Sequence, residues 1–214
     1  MNPSINLYTV LRSIPVILGG LWSGILKACS TTCETNDITT NNGCIRGGMS
    51  ICYYAKYDEI DWTATKASYV AATNILSAFT MVGAAVFKKL KFQKKSGTYN
   101  FEYTNDTDTY DLLISMIFEG KTAATGKAFC SLIACCQLVI VIIDNNCNGR
   151  VTGVEWNGTD FVEPIVDMKV TRHLDTSGEF GTDKPRDEVD FGGESLCPPI
   201  FHDIDQSTFE STYL

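Results

Sequence analysis

Twelve residues, Asp144-Asn-Asn-Cys-Asn-Gly-Arg-Val-Thr-Gly-Val-Glu155, carry oxygen ligands at the spacing of a calcium loop. Asp144, Asn146 and Asn148 stand at loop positions 1, 3 and 5, Gly149 at 6, and Glu155 at 12, where a bidentate carboxylate closes such a site. The chemistry would be coordination of a hard cation by carboxylate and amide oxygens. Those ligands converge only when a helix fixes each end of the loop. Here Leu138 to Ile143 reads Leu-Val-Ile-Val-Ile-Ile, five of six residues β-branched, which favours a strand. After Glu155, Trp-Asn-Gly-Thr-Asp-Phe is a turn signal. The stretch therefore reads as a hairpin turn, with Asn146, Asn148 and Gly149 suited to positive φ. A calcium-binding β module using 144–155 stands as the alternative.

Other reactive residues are scattered. There are nine cysteines but only two histidines, His173 and His202, so no zinc spacing is formed. Cys130, Cys135 and Cys136 lie in an apolar stretch, where Cys acts as a small hydrophobe. Reduced, mostly buried thiols are expected. His173 and Asp175 are two apart and lack a third partner, so His173 reads as a surface histidine. Asp183, Asp187, Glu188, Asp190 and Glu194 read as a solvated acidic face. No nucleophile elbow, zincin helix or phosphate loop occurs. The expectation is a protein that is not an enzyme, with no cofactor and no metal.

The net charge of −8 is unevenly spread. Residues 1–100 hold ten Lys/Arg and five Asp/Glu, a balance of +5; residues 101–214 hold seven and twenty, a balance of −13. This argues against a general nucleic-acid-binding surface. At 214 residues, 44% of them hydrophobic, the chain has room for one domain with a sizeable core.

The elements that must carry these residues follow from patterning. Ile14 to Leu26 is apolar but too short and Gly-rich to span a bilayer, and Lys27 departs from the usual flank of a signal cleavage site. It reads as an arm over 1–46 that buries itself against the domain or a neighbouring subunit, with Ile14, Val16, Ile17, Leu18, Leu21, Trp22 and Leu26 as candidate subunit-contact residues. Residues 47–200 read as a β domain and 201–214 as an extended C-terminal arm. Strands are expected at Ser50–Ile60, Asn74–Val82, Tyr110–Phe118, Ile165–Thr176 and Asp187–Leu196. Val86–Lys95 and Thr98–Thr104 read as a long hairpin about Ser96-Gly97. Its first half carries Lys88, Lys89, Lys91, Lys94 and Lys95, which suit a blunted sheet edge or a subunit contact. One helix is expected after Lys121, with Phe129, Leu132, Ile133 and Cys136 on its apolar face. The fold class is mainly β (α+β): an antiparallel sandwich or barrel with one packed helix and extended arms.

Several phrases carry a family resemblance. They are "GGMSICYYAKYDEIDW" from Gly47, "FKKLKFQKKSGTYNFEYT" from Phe87, "YDLLISMIFEGKTAATGKAFCSLIACCQLVIVIIDNNCNGRVTGVEW" from Tyr110 and "TRHLDTSGEFGTDKPRDEVDFGGESLCPPIF" from Thr171. In content and order they resemble the major tail tube proteins of tailed bacteriophages, particularly those infecting Bacteroidota hosts. The resemblance covers about two-thirds of the chain. It implies a β-sandwich-like subunit that forms six-membered rings stacked into a hollow tube. The inner sheets would merge into one barrel through which DNA and the tape-measure protein pass. It further implies assembly in the host cytoplasm, residence in the virion tail, contacts with tape-measure and tail-end proteins, no specific DNA binding and no membrane. The inner tube of a contractile injection system would share this fold.

Overall fold

The computed structural model describes residues 48–93, 95–119, 122–134, 137–145, 147–177 and 185–214. At its centre lies the β-branched run Leu138–Asp144 (β7), all seven residues of which are buried. Successive side chains of a strand point to opposite faces. Val139, Val141 and Ile143 enter one apolar cluster, and Leu138, Ile140 and Ile142 enter another. A strand buried on both faces needs a layer on each side, and the molecule supplies two different ones.

In chain order the strands before β7 are β1 (Met49–Lys56), β2 (Tyr69–Val70), β3 (Ile75–Leu76), β4 (Lys88–Leu90), β5 (Thr98–Thr104) and β6 (Thr109–Glu119). After it come β8 (Gly149–Thr152), β9 (Glu155–Trp156), β10 (Phe161–Val162), β11 (Val166–Thr176), β12 (Arg186–Ser195) and β13 (Ile200–His202). The α-helices are α1 (Trp62–Thr65), α2 (Ala123–Ile133) and α3 (Gln206–Tyr213). A seven-stranded sheet runs β2-β3-β13-β8-β7-β1-β4, and a four-stranded sheet runs β11-β12-β6-β5. Strands β9 and β10 form a separate pair. The architecture is mainly β. All these pairings are antiparallel except β13 with β3, so the larger sheet is mixed.

The four-stranded sheet covers one face of the larger sheet. Leu112, Ile114, Met116, Met168, Val189 and Phe191 pack there on Cys52, Leu138, Ile140 and Ile142, closed at one end by Phe129 and Leu132 of α2. The opposite face is covered by α3 and by the segment that contains Phe79 and Phe87. Phe209 of α3 is fully buried and stacks on Tyr53, their ring centroids 4.6 Å apart.

The structure corrects several expectations. Residues 201–214 are not an extended arm: they complete β13 and form α3, whose Phe209 and Tyr213 seal the core. The described residues hold three α-helices rather than one. On α2, Phe129 and Leu132 are buried as the spacing predicts, but Ile133 is exposed, and Cys136 lies outside the described residues. Strand β3 is confined to Ile75–Leu76. Residues 86–104 are not one hairpin, because β4 joins the larger sheet and β5 the smaller. Gly97 lies at the crossover. Its carbonyl accepts from Met49 N–H at 3.0 Å, and a Cβ there would fall 2.5 Å from the Phe92 ring. The true hairpin is β5–β6, turning at Asp108 with φ 58°.

Strands β7 and β8 form a hairpin, with Ile143 opposite Gly149. However, a positive φ falls on Cys147 (64°), and Gly149 is not in the left-handed region; Asn146 lies outside the described residues. Gly149 is small for another reason: a Cβ there would lie 2.4 Å from the His202 carbonyl oxygen on β13. The thiols also depart from expectation. Cys197 is disulfide-bonded rather than reduced. Cys52, Cys130 and Cys147 are free, but only Cys52 of these three is buried.

Candidate assembly surface

Asp144, Asn148 and Glu155 of the calcium pattern have protein partners. Asp144 Oδ1 accepts from Asn148 N–H at 2.9 Å, and its Oδ2 accepts from Asn148 Nδ2 at 3.0 Å. Glu155, 3% exposed, accepts from Ile165 N–H at 3.2 Å and Leu196 N–H at 2.9 Å. Its carboxylate ties β9 to the start of β11 and the end of β12. The two carboxylates serve different joints of the fold, one a turn and one a strand junction. No group of three or more potential metal ligands is present among the described residues.

Of the residues expected at a subunit contact, Ile14, Val16, Ile17, Leu18, Leu21, Trp22, Leu26 and Lys94 lie outside the described residues. Lys88 is exposed on β4, an edge strand of the larger sheet, with Nζ 5.9 Å from the Tyr54 ring centroid. Lys89 turns inward to Glu210 of α3, Nζ to Oε1 2.6 Å. Glu210 also accepts from Tyr53 Oη at 2.7 Å and Gln206 Nε2 at 3.0 Å. Hydrogen bonds from Lys89, Tyr53 and Gln206 hold the Glu210 carboxyl down at about 2. Lys89 is thus part of the anchor of α3. Lys91 is exposed, and Lys95 occupies a tight turn with φ 71°.

The surface best suited to repetition is the outward face of the four-stranded sheet. Its edges, β11 and β5, each have a strand neighbour on one side only. Exposed strand edges carry unpaired N–H and C=O groups that invite another chain. The cross-strand register places Glu102 opposite Asp111, and Asp111 opposite Glu194. Like charges directly opposite in a sheet are destabilising. None of the three forms an ion pair among the described residues; Asp111 Oδ2 accepts from Thr104 Oγ1 at 2.9 Å. Elsewhere on the face Arg172 reaches Glu188 and Asp190, each at 3.3 Å, and Arg186 reaches Glu188 at 3.1 Å; Lys169 is exposed opposite Gly192. The acidic stretch over 187–194 therefore divides by strand alternation. Glu188, Asp190 and Glu194 lie on the outward side of β12, and Asp187 faces inward with Val189 and Phe191. Asp183 lies outside the described residues.

His173 is exposed, as its sequence setting suggests, but it is not without partners. Its Nε2 lies 3.0 Å from Asp187 Oδ1, and its ring packs 5.2 Å from that of Phe129. Asp175 sits opposite Asp187 in the register but is not the residue that His173 meets. Asp187 forms one wall of a cavity of about 240 Å³ between α2, β4 and the end of β6. Charge spacing in the sequence did not reveal this cavity, because its walls come from β1, β4, β6, α2 and β12, which are far apart in the chain.

No helix among the described residues is long and apolar enough to cross a membrane, which says nothing of strands. Comparison with protein-family models, with curated proteins and with solved structures finds no match for this chain.

Proposed function

We propose that the protein is a structural subunit that repeats side by side, the building block of a phage tail tube. The observation that carries this reading is the four-stranded sheet: two single-sided edge strands, and an outward face crossed by the row Glu102–Asp111–Glu194. In this reading β5 of one copy pairs with β11 of the next, so ring closure removes both free edges. The outward face then becomes the wall of the lumen. Its unbalanced carboxylate row opposes DNA phosphates, which allows passage without adhesion. The cost of setting like charges side by side is tolerable if the face serves a polyanion in transit.

The test is electron microscopy of the purified full chain together with sedimentation across a wide concentration range. Rings or tubes are expected. A strictly monomeric species at every concentration overturns the proposal. The joint itself is tested with proline on β5. Strand amides alternate in direction, so of the neighbours Glu102 and Tyr103 one amide points toward β6 and the other toward the free edge. Both side chains are exposed. Glu102→Pro and Tyr103→Pro are made separately, and the variant that loses the free-edge amide should stay folded yet form no rings. Rings from both variants would show that β5 is not the joint.

A further inference from the structure

We propose that the cavity beneath α2 is a binding site for a small organic ammonium ion. About 240 Å³ gives room for on the order of ten non-hydrogen atoms, scaled from the cavity that holds benzene. Its walls include three aromatic rings, Tyr54, Phe118 and Phe129, with Leu90 and Leu132 between them. Phe118 and Phe129 meet edge to face with centroids 5.0 Å apart, so they present a ring face and a ring edge at a fixed angle.

One wall is the carboxylate of Asp187, a residue 3% exposed. Its Oδ1 is held by His173 at 3.0 Å. Oδ2 has no protein hydrogen bond among the described residues, and Asp187 lines the cavity, which leaves this oxygen for a ligand there. Aromatic faces joined to a carboxylate are the recognition chemistry of alkylammonium groups. The same carboxylate disfavours an anion, which would bury like charge beside it.

The lysines at the rim do not cancel this preference. Lys89 is neutralised by Glu210 at 2.6 Å. Lys91 is exposed, and Glu119 shares the rim with it. The ammonium would sit at Asp187 Oδ2, with its apolar body against Phe118, Phe129 and Leu132. Every wall belongs to one chain.

The experiment is equilibrium dialysis of the full chain with benzyltrimethylammonium and, separately, with neutral benzyl alcohol, each up to about 10 mM. The cation should bind saturably and at least tenfold more tightly than the alcohol. Asp187→Asn should weaken the cation at least tenfold and leave the alcohol unchanged. Phe129→Leu, which keeps an apolar wall but removes a ring, should weaken the cation several-fold. It serves alone if the Asp187 variant does not fold. Absence of saturable cation binding, equal binding of the alcohol, or cation binding indifferent to a folded variant would each overturn the proposal. A merely structural Asp187–His173 pair would alter melting temperature without altering this selectivity.

Discussion

His173, though exposed, meets Asp187 and Phe129 on the α2 side of the sheet because β11 carries a bulge. Val170 pairs with Phe191 and Arg172 with Asp190, so one residue between them is unmatched. That extra residue flips the parity of everything after it. Under regular alternation from Val170, His173 would lie on the face away from α2. A bulge leaves no reliable mark in a single sequence, so the Asp187 partner, fourteen residues away, was illegible. The turn between β7 and β8 was legible, because β-branched residues flank an Asn/Gly-rich centre. The left-handed angle at Cys147 was not, since cysteine has no special propensity for it. Asp144→Ala should lower stability by about 1–3 kcal/mol, because it removes two hydrogen bonds from Asn148 to a carboxylate, and the loss should be the same with or without added calcium. Urea denaturation in both conditions checks it. Gly149→Ala should destabilise by about 1–3 kcal/mol by forcing β13 away from β8. The same measurement applies, and an unchanged midpoint would show that the strands part at no cost.

Among the elements, α3 is the one whose disguise was most complete. Gln-Ser-Thr-Phe-Glu-Ser-Thr-Tyr is polar except for Phe209 and Tyr213, four residues apart on one face. The available signals were that spacing and Asp205, whose side chain accepts from Ser207 and Thr208 N–H as a helix cap. By contrast, β6 and β7 were legible because each carries a long apolar run, and the segments of β1, β11, β12 and α2 were also placed from the sequence. The short strands β2, β3 and β13 owe their form to neighbours rather than to their own two or three residues. Phe209→Ala should cost about 3–5 kcal/mol, since the ring is wholly buried among Tyr53, Phe79 and Phe87. Thermal and urea melts read that loss. His202 lies beside it, 5% exposed, with Nδ1 accepting from Ile204 N–H at 3.2 Å and Nε2 without a hydrogen-bond partner among the described residues. Burial lowers its pKa from 6.5 to about 4. A depressed histidine favours the neutral form, so its contribution is full above pH 6.5 and lost as pH falls toward 4. Between pH 7.5 and pH 5 this amounts to about 2 kcal/mol. His202→Phe should flatten that part of the stability profile in urea titrations at the two pH values; an unchanged slope would assign the acid sensitivity to other groups.

For the whole molecule, the mainly β class and the sheet-bearing segments followed from patterning. The division into two sheets did not, because Ser96-Gly97 looks the same in a hairpin and in a crossover. The outward acidic row was equally hidden: Glu102, Asp111 and Glu194 meet only once three strands are in register. If that row lines a conduit, Glu102→Gln, Asp111→Asn and Glu194→Gln together should stabilise the isolated subunit, because repulsion is relieved. In assembled particles the same triple change should slow DNA release, most clearly at low ionic strength. Thermal melts and release kinetics across a salt series check both halves, and unchanged kinetics at every salt would remove the electrostatic role. The position of β13 has a further consequence. This strand comes after every other described strand in the chain, yet it lies inside the larger sheet, and β2–β3 joins the sheet only through it. A chain emerging from the ribosome therefore holds a gap in its sheet until residues 200–202 are out. Completion of the subunit is timed by translation itself, and a transcript cut short before that point yields a chain that cannot close.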